Sequence, residues 1–95
     1  MRDLETMREE IDVIDREILE AFRKRMALSA EIAKYKKDNN IPVLDVDREK
    51  AKLDRIAKNV EDELSAFTSK LYLTLADLSK QYQKKLFNGS DEEDD

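Results

Sequence analysis

From Leu4 onward the apolar residues recur at Met7, Ile11, Ile14, Ile18, Ala21/Phe22, Leu28, Ile32 and Tyr35, and no Gly or Pro interrupts them before Pro42. Intervals of three and four mark one face of a continuous helix. The segment from about Asp3 to about Asn39 is therefore predicted to be one helix of roughly 54 Å, at about 1.5 Å of rise per residue. A compact globule of this chain length has a radius of gyration of only about 12 Å. So long a helix reaches past anything its own chain can wrap around it. The pattern predicts an oligomer, in its simplest form a two-fold homodimer.

After the connector Asn39 to Leu44, the run Asp45-Val46-Asp47-Arg48-Glu49 has the character of an acidic first turn. Asp45 is the expected N-cap, with carboxylates near the positive end of the helix dipole. The apolar side of this second helix is Leu53, Ile56, Ala57 and Val60. A polar stretch, Lys58-Asn59 through Glu61-Asp62-Glu63, marks a break. A third helix follows with the stripe Leu64, Phe67, Leu71, Leu75, Leu78, Tyr82 and Leu86, ended by Gly89. The expectation is an all-α domain over residues 1–88, three helices in the order long, short, long. Residues 89–95 form an acidic tail with no apolar anchor, expected to be disordered.

Composition narrows the chemistry. The chain has 18 Lys+Arg and 23 Asp+Glu, and its net charge of −5 is carried by five acids at positions 91–95. Without them the body is neutral, with no basic excess of the kind that nucleic-acid binding requires. There is no His and no Cys, which excludes a thiolate nucleophile, an imidazole base, a His/Cys zinc site and a disulfide. Neither a metal nor a cofactor is implied. No apolar run approaches the length of a signal sequence or a membrane span, so a cytoplasmic protein without membrane contact is expected. Any catalysis has to run on Arg, Lys, carboxylates, amides and hydroxyls.

The informative charges are those placed where a core residue belongs. Continuing the count from Ala21 lands on Arg25, between Phe22, Met26 and Leu28. Lys36 lies eleven residues on, about 20° around the helix and about 16 Å along it, so the two cations share a face. Arg8, seventeen residues before Arg25, is about 100° off that face and about 25 Å away, and only a neighbouring subunit could bring it to the same place. Ser79 and Gln83 form a polar i, i+4 pair on the third helix, whereas Lys80, Gln81 and Lys84 are expected to face solvent. Two readings stand at this point. In one, Arg25 pairs with a carboxylate such as Glu49 and Lys36 is a surface lysine. In the other, these residues form an anion pocket.

Taken together, the residues resemble the all-helical chorismate mutase family. The resemblance covers about residues 4 to 86. It is carried by Met7-Arg8-Glu9-Glu10-Ile11-Asp12, Ile14-Asp15-Arg16-Glu17-Ile18-Leu19, Arg25-Met26-Ala27-Leu28 and Ile32-Ala33-Lys34-Tyr35-Lys36. Later come Ile41-Pro42-Val43, Asp45-Val46-Asp47-Arg48-Glu49 and Ser79-Lys80-Gln81-Tyr82-Gln83. The resemblance implies an intertwined helical homodimer that converts chorismate to prephenate, a pericyclic rearrangement on the route to phenylalanine and tyrosine. It further implies that Arg25, with Arg8 of the other chain, holds the substrate carboxylates. Lys36 and Gln83 would donate to the ether oxygen, Glu49 and the backbone near Asp45 would take the ring hydroxyl, and Ser79 would assist a carboxylate. Arg48 either joins the pocket or only orients Glu49 or Asp45.

Two other functions are compatible with the same scaffold. An isochorismate pyruvate lyase handles a near-identical dianion, and Glu49, placed for the hydroxyl contact, counts against it. A non-catalytic helical dimerisation or regulatory module has no use for Arg25 on an apolar stripe.

Overall fold

A computed structural model describes residues 2–42 and 46–87. They form three helices, α1 (Leu4–Asp38), α2 (Val46–Ala57) and α3 (Asp62–Phe87), and no strand is found among the described residues. The N-cap expected at Asp45, the stop at Gly89 and the tail 89–95 lie outside them.

Local chemistry sets the helix ends. Asp3 is the N-cap of α1, its carboxylate accepting from the Thr6 backbone N–H at 2.8 Å. That bond holds the Asp3 carboxyl below its ordinary value. At the other end Asn40 takes φ 57, the left-handed conformation that stops a helix. The Ile41 N–H then donates to the Lys36 carbonyl at 2.8 Å and the Asn40 N–H to the Lys37 carbonyl at 3.3 Å. This is the paired closure of a Schellman motif, and Pro42 just beyond it prevents the helix from resuming. In the polar stretch after α2, Asp62 and Glu63 already belong to the first turn of α3, where their charges complement the helix dipole.

Helix α3 packs against both α1 and α2. Arg25 meets Leu75 and Ser79, and one turn further along α1 Ser29 meets Gln83. Advancing along α1 thus advances along α3 in the same direction, so the two long helices run parallel here.

The buried faces differ from those the apolar periodicity predicts. On α1 the residues turned inward are Phe22, Arg25, Met26, Ser29, Ala30, Ala33 and Lys36, whereas Leu28, Ile32 and Tyr35 remain exposed. On α3 the inward line is Ser65, Thr68, Tyr72, Leu75, Ala76, Ser79, Tyr82 and Gln83, and Leu64, Phe67, Leu71, Leu78 and Leu86 face outward. Phe67 is 67% exposed. Of the stripe expected on α3, only Leu75 and Tyr82 turn inward. The inner seam carries small and polar side chains, so most of the expected stripe of each long helix stays exposed, and Leu28 and Ile32 border the cleft.

The radius of gyration is 17.1 Å and the extents are 57 × 28 × 25 Å, against about 12 Å for a globule of this length. The N-terminal half of α1 projects, with Leu4, Ile11, Ile14 and Ile18 all more than half exposed. Among the described residues, no helix is long and apolar enough to cross a membrane.

Candidate functional site

The three helices enclose a cleft of about 320 Å³, within the range of small-molecule sites. Helix α1 contributes Arg25, Ser29 and Lys36, α2 contributes Arg48, Glu49 and Lys52, and α3 contributes Tyr72, Ser79, Lys80 and Gln83. Apolar walls come from Leu28, Ile32, Leu53, Ile56 and Leu73. Among the described residues the lining carries five cationic side chains and one carboxylate, that of Glu49.

Helical geometry explains how the α1 residues arrive together. Arg25, Ser29 and Lys36 are separated by four and then seven residues, which places them on one line along the helix. Arg25 is half-buried and donates to Ser79 Oγ and, at 3.3 Å, to the Leu75 carbonyl. The pairing with Glu49 is not the one formed. Glu49 Oε1 instead accepts from Lys80 Nζ at 3.1 Å, so Lys80, expected to face solvent, is a half-buried part of the cleft. Gln81 and Lys84 are exposed as expected, and Gln81 spends its amide on Asp77 of its own helix at 2.8 Å.

Ser79 is 8% exposed. While its oxygen accepts from Arg25, its hydroxyl hydrogen is directed at the Met26 sulfur, 3.8 Å away. Sulfur is a weak acceptor, so this hydrogen is readily re-aimed at an anionic ligand. Gln83 donates through Nε2 to the Ser29 carbonyl at 2.8 Å and to Ser29 Oγ at 2.9 Å.

Lys52 was not anticipated, although it stands one turn beyond Arg48 on α2 and three residues from Glu49, a spacing that puts it on the same face. Burial, followed by repulsion from Arg25, Arg48 and Arg55, lowers its pKa from the ordinary 10.5, and Glu49 offsets part of the shift. Ser29 was also missed. It is a polar residue one turn after Arg25 in a seam that otherwise continues with Ala33, a position that local spacing alone does not mark.

Arg8 is not part of this cleft. It is exposed near the start of α1, about 25 Å along the helix from Arg25. Asp45 lies outside the described residues. Among the described residues there is no cluster of His, Cys, Asp or Glu that could hold a metal ion.

The described residues form an all-helical fold of long, short and long helices around a cleft rich in cationic side chains. The comparisons with known proteins give it a family. The chorismate mutase type II family model matches residues 7–84, and the chain belongs to that family. It is 34% identical over 88 residues to the bifunctional chorismate mutase/prephenate dehydratase of Buchnera aphidicola, covering 90% of this chain and 23% of that protein. It is 29% identical over 87 residues to the T-protein of Haemophilus influenzae, covering 92% of this chain and 22% of that protein. The chorismate mutase of Methanocaldococcus jannaschii is 33% identical over 87 residues, covering 86% of this chain and 85% of that protein. The chain thus spans less than a quarter of the first two relatives and most of the third. No solved structure matches the chain significantly.

Proposed function

We propose that the chain is a chorismate mutase, acting as a homodimer in which each cleft is completed by Arg8 of the other subunit. The observation that carries this reading is the cleft itself: Arg25, Lys36, Glu49, Ser79 and Gln83 line one cavity in a chain of the chorismate mutase type II family. Chorismate is a dianion with an ether oxygen and a ring hydroxyl, and those groups call for cations, neutral donors and one carboxylate.

The reaction forms one C–C bond as one C–O bond breaks, with no covalent intermediate and no proton transfer to the enzyme. Its catalyst has to hold the substrate in the reactive chair and stabilise negative charge growing on the ether oxygen. Arg25 takes one substrate carboxylate with its planar fork, and Arg8 of the other subunit takes the second. Ser79, released from Met26, donates to a carboxylate. Lys36 and Gln83 donate to the ether oxygen. Glu49, held by Lys80, still has acceptor capacity for the ring hydroxyl, together with the backbone near Asp45. Arg48, one residue before Glu49, adds to the positive field. Each charge-assisted bond contributes about 1.5–3 kcal/mol. A few aimed at the transition state therefore reach the ~8 kcal/mol of a millionfold acceleration.

The exposed apolar line of α1, Leu4 to Ile18, supports the dimer. A second copy lying against that line would bring its own Arg8 to the cleft, which the same helix cannot do. No metal or cofactor takes part, and a cytoplasmic setting fits a pathway enzyme of this kind.

The test is to follow loss of chorismate absorbance with the purified chain and identify the product. Prephenate supports the reading. Inertness toward chorismate refutes it, and salicylate with pyruvate from isochorismate assigns the lyase instead.

A further inference from the structure

We infer that Ser29 is a positioning residue which fixes the orientation of the Gln83 carboxamide, so that an N–H rather than the carbonyl oxygen is available to the ligand. This rests on the reading of Gln83 as a donor to the ether oxygen.

Ser29, on α1, is 7% exposed, one of only three buried residues among those described. Its carbonyl and its Oγ accept from Gln83 Nε2 at 2.8 and 2.9 Å. A carbonyl oxygen has two lone pairs, so this one serves the α-helix and the carboxamide at once. The two acceptors belong to one residue. In this inference they share one hydrogen in a three-centre bond, and the second N–H is left over. With Gln83 lining the cleft, that second N–H is the donor the reaction needs.

The arrangement also excludes the alternative. Turning the carboxamide over would set Oε1 against the Ser29 carbonyl, two acceptors face to face, with only the hydroxyl able to donate in return. An amide and its flipped form are nearly isosteric, so packing alone does not select between them. Selection comes from the hydrogen-bonding partner. The pair stands one turn beyond the Arg25 to Ser79 contact on both parallel helices. The same α1 to α3 packing thus sets the cation and the neutral donor together.

The experiment compares the full chain with Ser29→Ala, Ser29→Thr, Gln83→Ala and the Ser29→Ala/Gln83→Ala pair, using chorismate as substrate. Ser29→Ala is expected to lower kcat about tenfold, the size of one lost hydrogen bond, with KM within about twofold. Ser29→Thr, which keeps the hydroxyl, restores kcat. In the Gln83→Ala background Ser29→Ala has no further effect on kcat, a non-additivity that a merely structural serine does not produce. Wild-type kcat in Ser29→Ala, or an equal penalty in both backgrounds, overturns the inference. An inactive wild-type chain would instead refute the proposed function. Nuclear magnetic resonance then decides the inference alone: the Gln83 side-chain amide should show one slowly exchanging hydrogen in wild type whose protection falls in Ser29→Ala, where only the residue-29 carbonyl is left to accept. Identical amide signals in the two proteins overturn it.

Discussion

Replacing Arg25 by Ala separates binding chemistry from folding, because the structure predicts different magnitudes for the two. In the free protein Arg25 donates to Ser79 Oγ and the Leu75 carbonyl. Truncation leaves neither acceptor stranded. Leu75 lies inside α3 and keeps its helical partner, and the Ser79 hydroxyl can bond back to the carbonyl one turn earlier. Removing a half-buried cation also relieves its desolvation, so the net change in folding stability should be within about 1 kcal/mol. With substrate bound the loss is larger. Two charge-assisted bonds to a carboxylate, at about 1.5–3 kcal/mol each, make kcat/KM fall at least about a hundredfold. Arg25→Lys should fall between, since it keeps the charge but loses the fork. The assay pairs chorismate consumption with urea unfolding followed at 222 nm, at one protein concentration, because linked association makes stability concentration-dependent. Activity within tenfold of wild type would refute the pocket assignment. A loss of activity that merely tracks lost helix would make Arg25 structural.

The position of Arg8 gives a test in trans. Mixing an Arg8→Ala chain with an Arg25→Ala chain should restore activity, because the heterodimer has one cleft with both arginines; if no mixture recovers activity, Arg8 does not act across subunits. The pH profile gives another. With no His or Cys in the chain, the rate should be nearly flat from about pH 6 to 8, and a steep bell there would demand a group the chain does not have. On the alkaline side Lys52 loses its proton below 10.5, the ordinary lysine value. KM should therefore rise with pH, and Lys52→Arg should remove that limb. Over the same window the unfolded chain binds the proton more tightly, so this group's contribution to folding stability rises with pH. Activity and stability should thus move in opposite directions, and a parallel fall would contradict the placement of Lys52.

The long first helix was legible because a three and four periodicity without Gly or Pro admits no other element. The common face of Arg25 and Lys36 was legible for a related reason, since eleven residues are close to three whole turns. What the apolar count could not tell was which face turns inward. It selects the most apolar stripe, and in both long helices most of that stripe stays exposed in the single chain. Lys80 was misjudged because its partner, Glu49, is 31 residues away on another helix, and local spacing is silent about such pairs. Ser29 was invisible for the same reason. A lone serine in a seam has no signal until Gln83, 54 residues later, is laid beside it.

The division of faces follows from the chemistry. On the proposed reading, a cleft for a small dianion needs cations and hydroxyls held out of bulk water, and the single chain supplies them by lining its own seam with polar residues. Doing so leaves Ala33 as the one buried apolar residue among those described, far too little apolar burial to offset the conformational entropy of ordering the chain. In the proposed dimer, Ile11, Ile14, Ile18, Phe67 and Leu71, all exposed in the single chain, are the surface from which further stability comes. On the homodimer reading, folding and association become a single equilibrium, and the helix that supplies Arg8 to its neighbour is the same one that supplies most of the missing core. Catalysis and stability would share one cause, which is why a helix too long for its own chain is the feature from which the rest of this protein follows.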